Sequence, residues 1–185
     1  MENQQKRSVL SLDFLAGLIV GEGTFNLILV RHHDKRDDRD YVAIKPNFKL
    51  KMNDLETMEL VAATFEHHGL AYYRLDIPGS GNIKTAVSFE ARGLKRVSRV
   101  ADLILPYLTG AKREAAQLVA DYCAKRFSSK WAWEGYDEED VATIERLREV
   151  NGIAGASRLS LDILRDYMPR SGRRPARQEI VRAAR

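Results

Sequence analysis

A chain of 185 residues, 44% hydrophobic and 30% charged, suits one folded domain with a tail. Its one cysteine, Cys123, excludes an intramolecular disulfide, no apolar run nears the roughly 20 residues that span a bilayer, and the polar start leads into no secretory hydrophobic core; a cytoplasmic protein with no membrane partner is expected. The net charge of +4 is uneven, because residues 169–185 hold six arginines against Glu179, a net +5, which leaves −1 for the rest; total charge therefore argues little for nucleic acid.

Ser8 or Ser11 caps a first helix running to about residue 20, with Leu15, Leu18 and Ile19 at the spacing of a buried face. Gly17 and Gly21 stand four apart on one side of it, where small residues let a second backbone come close. A contact between two copies is expected there, at Gly17 and Gly21. The helix ends in Gly21-Glu22-Gly23, which places one carboxylate at the seam between them.

A strand is expected over 24–31, with Phe25, Leu27 and Leu29 inward, Asn26, Ile28 and Val30 outward, and Arg31 reaching a phosphate at the end. The charged segment 32–40 reads as an exposed hairpin loop. In the next strand, 41–52, Val42, Ile44, Phe48 and Leu50 share one face; Tyr41, Ala43, Lys45, Asn47, Lys49 and Lys51 share the other. Lysines suit phosphates or guanine edges, Asn suits adenine, and outward Ile28 and Val30 suit thymine methyls. The plain alternative is that the lysines only solubilise the wet side of a sheet.

Asn53 or Asp54 caps a helix to about residue 68, with Leu55, Met58, Ala62 and Phe65 on its core stripe. Strands at 72–77 and 83–90 flank the turn Pro78-Gly79-Ser80-Gly81-Asn82. Tyr72, Arg74 and Asp76 are assigned to the outer face of the third strand, and Lys84, Ala86, Ser88 and Glu90 to that of the fourth. Helices follow at 94–105, 112–127, 138–149 and 159–167. The order α-β-β-α-β-β-α-α gives an α+β fold, a four-stranded antiparallel sheet with helices on one face. The adjacent pairs His32-His33 and His67-His68 point apart and are not expected to bind metal.

The nonapeptide Leu15-Ala16-Gly17-Leu18-Ile19-Val20-Gly21-Glu22-Gly23 resembles the signature of the LAGLIDADG homing endonucleases, single-motif type, with Glu22 at the family's metal-binding acid. Val20 replaces a more usual acid that is not the metal ligand. The resemblance covers roughly residues 10–167 and implies a domain at 8–168, whose sheet is a DNA-binding saddle, followed by a flexible basic tail at 169–185. It implies a homodimer meeting at Leu12, Leu15, Ala16, Gly17 and Gly21 and acting on double-stranded DNA, with Glu22 catalytic and, beside Gly21, holding Mg²⁺, for which Mn²⁺ or Ca²⁺ can substitute. The segment 48–54 resembles the family's strand-to-helix passage, where a polar residue, frequently Gln, orients solvent. This chain has Met52 or Asn53 there; Met cannot donate a hydrogen bond, so Lys51 or Asn53 would replace it. The segment 106–113 resembles the loop that brings a basic residue to the active site, assigned to Lys112 with Arg113 as runner-up. The segment 140–164, with Ile144, Leu147, Val150 and Asn151, resembles C-terminal helices that meet the DNA backbone.

The DNA-contacting set expected is Asn26, Ile28, Val30, Arg31, Tyr41, Lys45, Asn47, Lys49, Lys51, Arg74, Asp76, Lys84, Ser88 and Arg113. The resemblance implies cleavage of a near-palindromic target of roughly 20 base pairs, leaving 3′ overhangs, by an intron-encoded enzyme. Arg- and Ala-rich, Lys-poor usage points to a bacterial or phage source. Two alternatives stand beside it: a DNA-binding regulator without catalysis, motivated by Met52, and an RNA maturase binding intron RNA through the tail and outer helices.

Overall fold

The computed structural model describes residues 8–34, 39–82, 84–128, 136–152 and 164. Helix α1 (Leu12–Glu22) starts at Ser11, whose hydroxyl accepts from Phe14 N and satisfies an amide of the first turn. Strand β1 (Gly23–Asp34) follows with no loop and pairs antiparallel with β2 (Arg39–Met52), from Gly23 opposite Leu50 to Asp34 opposite Arg39. The charged segment expected as a loop is thus largely strand. Ladder bonding needs no apolar side chain, so a long hairpin continues past its own hydrophobic pattern. Residues 35–38 lie outside the described residues.

Asp54 caps α2 (Leu55–His67) through its Oδ1, which accepts from Thr57 N at 3.2 Å. Leu55, expected on the core stripe, is exposed at the helix's first residue; the stripe is Met58, Val61, Ala62 and Phe65. Strands β3 (Tyr73–Ile77) and β4 (Ala86–Arg92) complete a sheet of order β1-β2-β4-β3. Helix α3 (Leu94–Ile104), a 3-10 turn at Leu105–Tyr107, α4 (Gly110–Ser128) and α5 (Glu138–Val150) follow. This is the expected α+β architecture. Of the helix expected over 159–167, only Leu164 is described, helical and buried; the rest, like the basic tail, lies outside the described residues.

The helices cover one side of the sheet. Phe25, Phe48, Phe65 and Phe89 form a chain of ring contacts with centroids 4.8–6.3 Å apart, closed by Tyr72 at 4.7 Å from Phe89. Val97, Val100 and Ala101 of α3, Ala115, Ala116 and Val119 of α4, and Val141, Ile144 and Leu147 of α5 are buried with them. Asn151 at the end of α5 donates from Nδ2 to Phe25 O at 2.9 Å, tying the last described helix to β1.

An ionic cluster fixes α4 against α5. Asp137 caps α5 and exchanges side chain–backbone hydrogen bonds with Asp140, a reciprocal capping box. Asp140 is buried and receives Arg126 at 3.1 Å and Lys125 at 3.2 Å; Lys125 also reaches Asp137 and Glu139, both at 2.7 Å. Burial pushes the Lys125 ammonium down, but hydrogen bonds to the three carboxylates outweigh it and hold it above its ordinary value. The Arg126 guanidinium stacks 4.6 Å from the Tyr136 ring centroid. Ile44 N donates to the Tyr136 hydroxyl at 2.8 Å, and the Tyr122 hydroxyl donates to Ile44 O at 3.5 Å. The cluster thus reaches the stretch of β2 that β4 does not cover.

Candidate functional site

Glu22 is the last residue of α1, exposed, and the chain turns at once into β1. Gly23 is there for space. Its φ of −86° is ordinary extended backbone, but a Cβ would fall 2.8 Å from both Ile19 Cγ2 and Ile19 O. A side chain would push β1 off α1 and displace Glu22 with it. On the far side of this junction the half-buried Lys112 donates from Nζ to Gly23 O at 2.5 Å. Gly110 opens α4 at φ +57°, a left-handed conformation that L side chains resist, and so sets Lys112 in the first turn. The acid and the base singled out in the sequence, 90 positions apart, therefore flank one glycine. Arg113 is exposed one position along α4.

Glu22, Lys51, Met52 and Asn53 line an open depression of about 360 Å³. Both candidates for the solvent-orienting position thus border the acid's depression. Asn53 and Lys51 can donate hydrogen bonds and the Met52 thioether cannot. Among the described residues no group of three or more His, Cys, Asp or Glu could hold a metal, and Glu22 is the one carboxylate among those lining the depression. That donor set fits Mg²⁺, which keeps most of its waters and takes one or two carboxylates plus phosphate oxygens. It does not fit a four-ligand zinc site.

The strand register sorts the sheet's faces. Thr24, Asn26, Ile28 and Val30 of β1 stand opposite Lys49, Asn47, Lys45 and Ala43 of β2. Asn47, Lys49 and Lys51 in turn stand opposite Arg92, Glu90 and Ser88 of β4, and Glu90 and Ser88 opposite Tyr73 and Leu75 of β3. This outer face carries Asn26, Ile28, Val30, Lys45, Asn47, Lys49, Lys51 and Ser88 as expected, with Asn47 and Ser88 buried beneath longer neighbours. For Tyr41 only the backbone is described, opposite His32.

Arg74 and Asp76 are corrected. They stand opposite Phe89 and Val87, on the helix side, where Arg74 pairs with Glu59 of α2 at 2.6 Å and with Asp76 at 3.1 Å. β3 is an edge strand beyond the core, so its helix side meets the polar flank of α2 and its apolar Tyr73 and Leu75 turn outward. Arg31 is also on the helix side, opposite Val42. Lys84 is exposed in the loop before β4, which starts at Ala86. Arg92, Arg96 and Tyr73 were missed: Arg92 lies beyond the expected end of its strand, and Arg96 joins the face from α3 through Tyr73, by a 2.6 Å hydrogen bond to its hydroxyl and by stacking on its ring.

The contact expected between copies also needs correction. Leu15 and Ala16 are sealed in the chain's own core with Ile19, and Leu12 packs partly against it. The outward side of α1 presents Gly17 and Gly21 with Phe14, 54% exposed, and Val20, 43% exposed. A Cβ at Gly17 or Gly21 would meet nothing within 4 Å. Nothing among the described residues requires either glycine, and each costs an exposed helix about 1 kcal/mol relative to Ala.

No protein-family model matches the chain, and no curated protein sequence does. Solved structures do match its fold. The homing endonuclease I-CvuI, in complex with its target in 2 mM Ca, superposes with a TM-score of 0.60 at 16% identity over 84% of this chain and 90% of its own. The archaeal intron-encoded homing endonuclease I-Vdi141I, complexed with DNA, gives 0.59 at 13% identity over 84% and 95%. The LAGLIDADG homing endonuclease I-LtrWI, bound to target DNA, gives 0.55 at 16% identity over 89% of this chain and 51% of its own. The chain has the fold of the LAGLIDADG homing endonucleases. It spans nearly the whole of the first two proteins and about half the length of the third.

Proposed function

We propose that this protein is a site-specific, metal-dependent endonuclease of double-stranded DNA that works as a homodimer on a near-palindromic target and leaves 3′ overhangs. The observation that carries this reading is the meeting of Glu22 and Lys112 at Gly23, beside the lysine-bearing face of a fold otherwise seen on DNA. Phosphodiester hydrolysis needs an activated water and neutralisation of charge at phosphorus and at the leaving oxygen. A divalent ion held by Glu22, with the Gly21 backbone beside it, would supply both; Mg²⁺ is the expected ion, and the neighbour I-CvuI was solved with Ca and with Mg. Lys112, oriented by the Gly23 carbonyl, presents a positive charge to the phosphate, and Lys51 or Asn53 orients solvent in the acid's depression. Asn26, Ile28, Val30, Lys45, Asn47, Lys49 and Lys51 would face the major groove. Arg113, one turn position from Lys112, would meet the backbone.

Two carboxylates are needed for two strands, and the depression of one chain is lined by one, Glu22. The glycines of α1 that no described residue requires, flanked by exposed Phe14 and Val20, suit close packing against a second α1. The lengths agree, since the chain matches about half of I-LtrWI. Gly17→Ala is therefore expected to stabilise the isolated chain by about 0.5–1 kcal/mol through helix propensity while weakening self-association at least tenfold. Chemical denaturation and sedimentation equilibrium read the two effects, and unchanged association would remove α1 from the interface.

The reading is tested by incubating the protein with a randomised DNA library in Mg²⁺ and sequencing the cut ends. Discrete ends with 3′ overhangs at one near-palindromic site are expected. Binding without cuts would favour a regulator on the same fold, for which Met52 beside Glu22 is the motivating observation.

A further inference from the structure

The outer sheet face hides a carboxylate. Glu90 stands opposite Lys49 in the β2–β4 ladder and opposite Tyr73 in the β3–β4 ladder, on the lysine side, yet its side chain is only 7% exposed. Lys49 Nζ lies 3.3 Å from Glu90 Oε1. Arg92, on the same face, donates to Glu90 Oε2 from Nε at 2.8 Å and also from Nη2. Arg92 and Arg96 both stack against Tyr73, at 5.8 and 5.0 Å from its ring centroid. Burial pushes the Glu90 carboxyl up, but hydrogen bonds from Arg92 and Lys49 outweigh it and hold it below its ordinary value, so it is ionised at neutral pH. Beside the cluster the buried Asn47 Oδ1, across from Arg92, has no hydrogen-bond partner among the described residues.

A face that served only to hold phosphates would be weakened by an acid at its centre. Non-specific affinity comes from cations that displace the counterions of DNA, and each cation committed to an internal carboxylate is withheld from that exchange. A guanine edge offers Arg92 a bidentate pair of acceptors, O6 and N7, as a phosphate or carboxylate does, but at a fixed place in the major groove that only some sequences supply, so it can take the carboxylate's place in a sequence-dependent way. Asn47 Oδ1 adds an acceptor for a neighbouring base's exocyclic amine.

On the DNA-binding reading above, we infer that Glu90 is a specificity-determining residue: paired with Lys49 and Arg92, it withholds both cations from random DNA and yields them where a base edge competes. The test uses a mixed-sequence duplex without divalent metal, so that nothing is cut, with affinity measured between about 50 and 200 mM salt. Glu90→Gln is expected to bind roughly tenfold tighter at the low-salt end, with a log–log salt slope steeper by about two, one for each cation released. Lys49→Gln is expected to flatten the slope by about one in the Glu90→Gln background and to leave it nearly unchanged in the wild type, a coupling that a purely structural Glu90 would not produce. Equal slopes for wild type and Glu90→Gln, equal effects of Lys49→Gln in both backgrounds, or weaker binding by a Glu90→Gln protein of unaltered thermal unfolding would each overturn the inference. A wild type that binds no duplex overturns this inference and the nuclease reading together; one that binds and shows the coupling but cuts nothing overturns the nuclease reading alone.

Discussion

Glu22→Gln should abolish cleavage while sparing the fold and DNA binding. Gln keeps the length and shape of the side chain and removes the charge that, on the proposed reading, would hold a hard cation. A bound metal contributes several kcal/mol of transition-state stabilisation in such hydrolysis, and each 1.36 kcal/mol is tenfold, so a rate loss of about a thousandfold or more is expected. The exposed position of Glu22 makes the change nearly neutral for stability, within about 0.5 kcal/mol. Binding should hold or strengthen slightly, because a negative charge facing phosphates is removed. Single-turnover cleavage of the target, filter binding in Ca²⁺ and thermal unfolding separate the three quantities. Cleavage at the wild-type rate would remove Glu22 from the metal site; loss of binding together with cleavage would make its role structural.

The largest expected loss of stability away from the aromatic core is at Asp140. Its carboxylate is 1% exposed and answers both Lys125 and Arg126, the latter with a side chain only 10% exposed. Removing one partner of a buried ion pair costs about 3–5 kcal/mol, because the charge left behind has no water to replace its counter-ion. Lys125 retains Asp137 and Glu139, and Arg126 retains its ring contacts with Tyr122 and Tyr136, which places Asp140→Ala at the lower end, about 3 kcal/mol. The substitution also opens the capping box of α5. For a chain of this length that corresponds to a fall in Tm of roughly 6–12 °C, read by calorimetry. A fall under about 2 °C would show that Arg126 stays solvated in the variant and that the cluster is not a buried one in effect.

The order of elements was legible because it rests on local chemistry: caps at Ser11 and Asp54, alternation along β2, and a nonapeptide whose glycines and acid stand at fixed spacing. What failed depended on tertiary position. In β3 the alternation of Tyr73, Leu75 and Ile77 with Arg74 and Asp76 is plain, but its sense reverses because an edge strand overhangs the core and meets Glu59 rather than apolar side chains. In α1 both faces are apolar, so periodicity alone could not tell Leu15 and Ala16, which the chain buries, from Phe14 and Val20, which it leaves outside. The burial of Glu90 was illegible for a related reason: charged residues on an open face read as solvated, and only the register shows how many long side chains converge over this one.

The hydroxyl caps at Ile44 bear on what happens when many copies meet. An open strand edge is a template on which another chain can add a strand, and the addition can repeat without end. Along the reach of β2 that β4 leaves uncovered, both backbone groups of Ile44 are already taken by Tyr136 and Tyr122. Two residues on, Pro46 has no N–H to offer, and its carbonyl is held by Gly93 N. Strand addition along residues 44–46 of β2 is thus blocked at the backbone, and the sheet's own edges lie at β1 and β3.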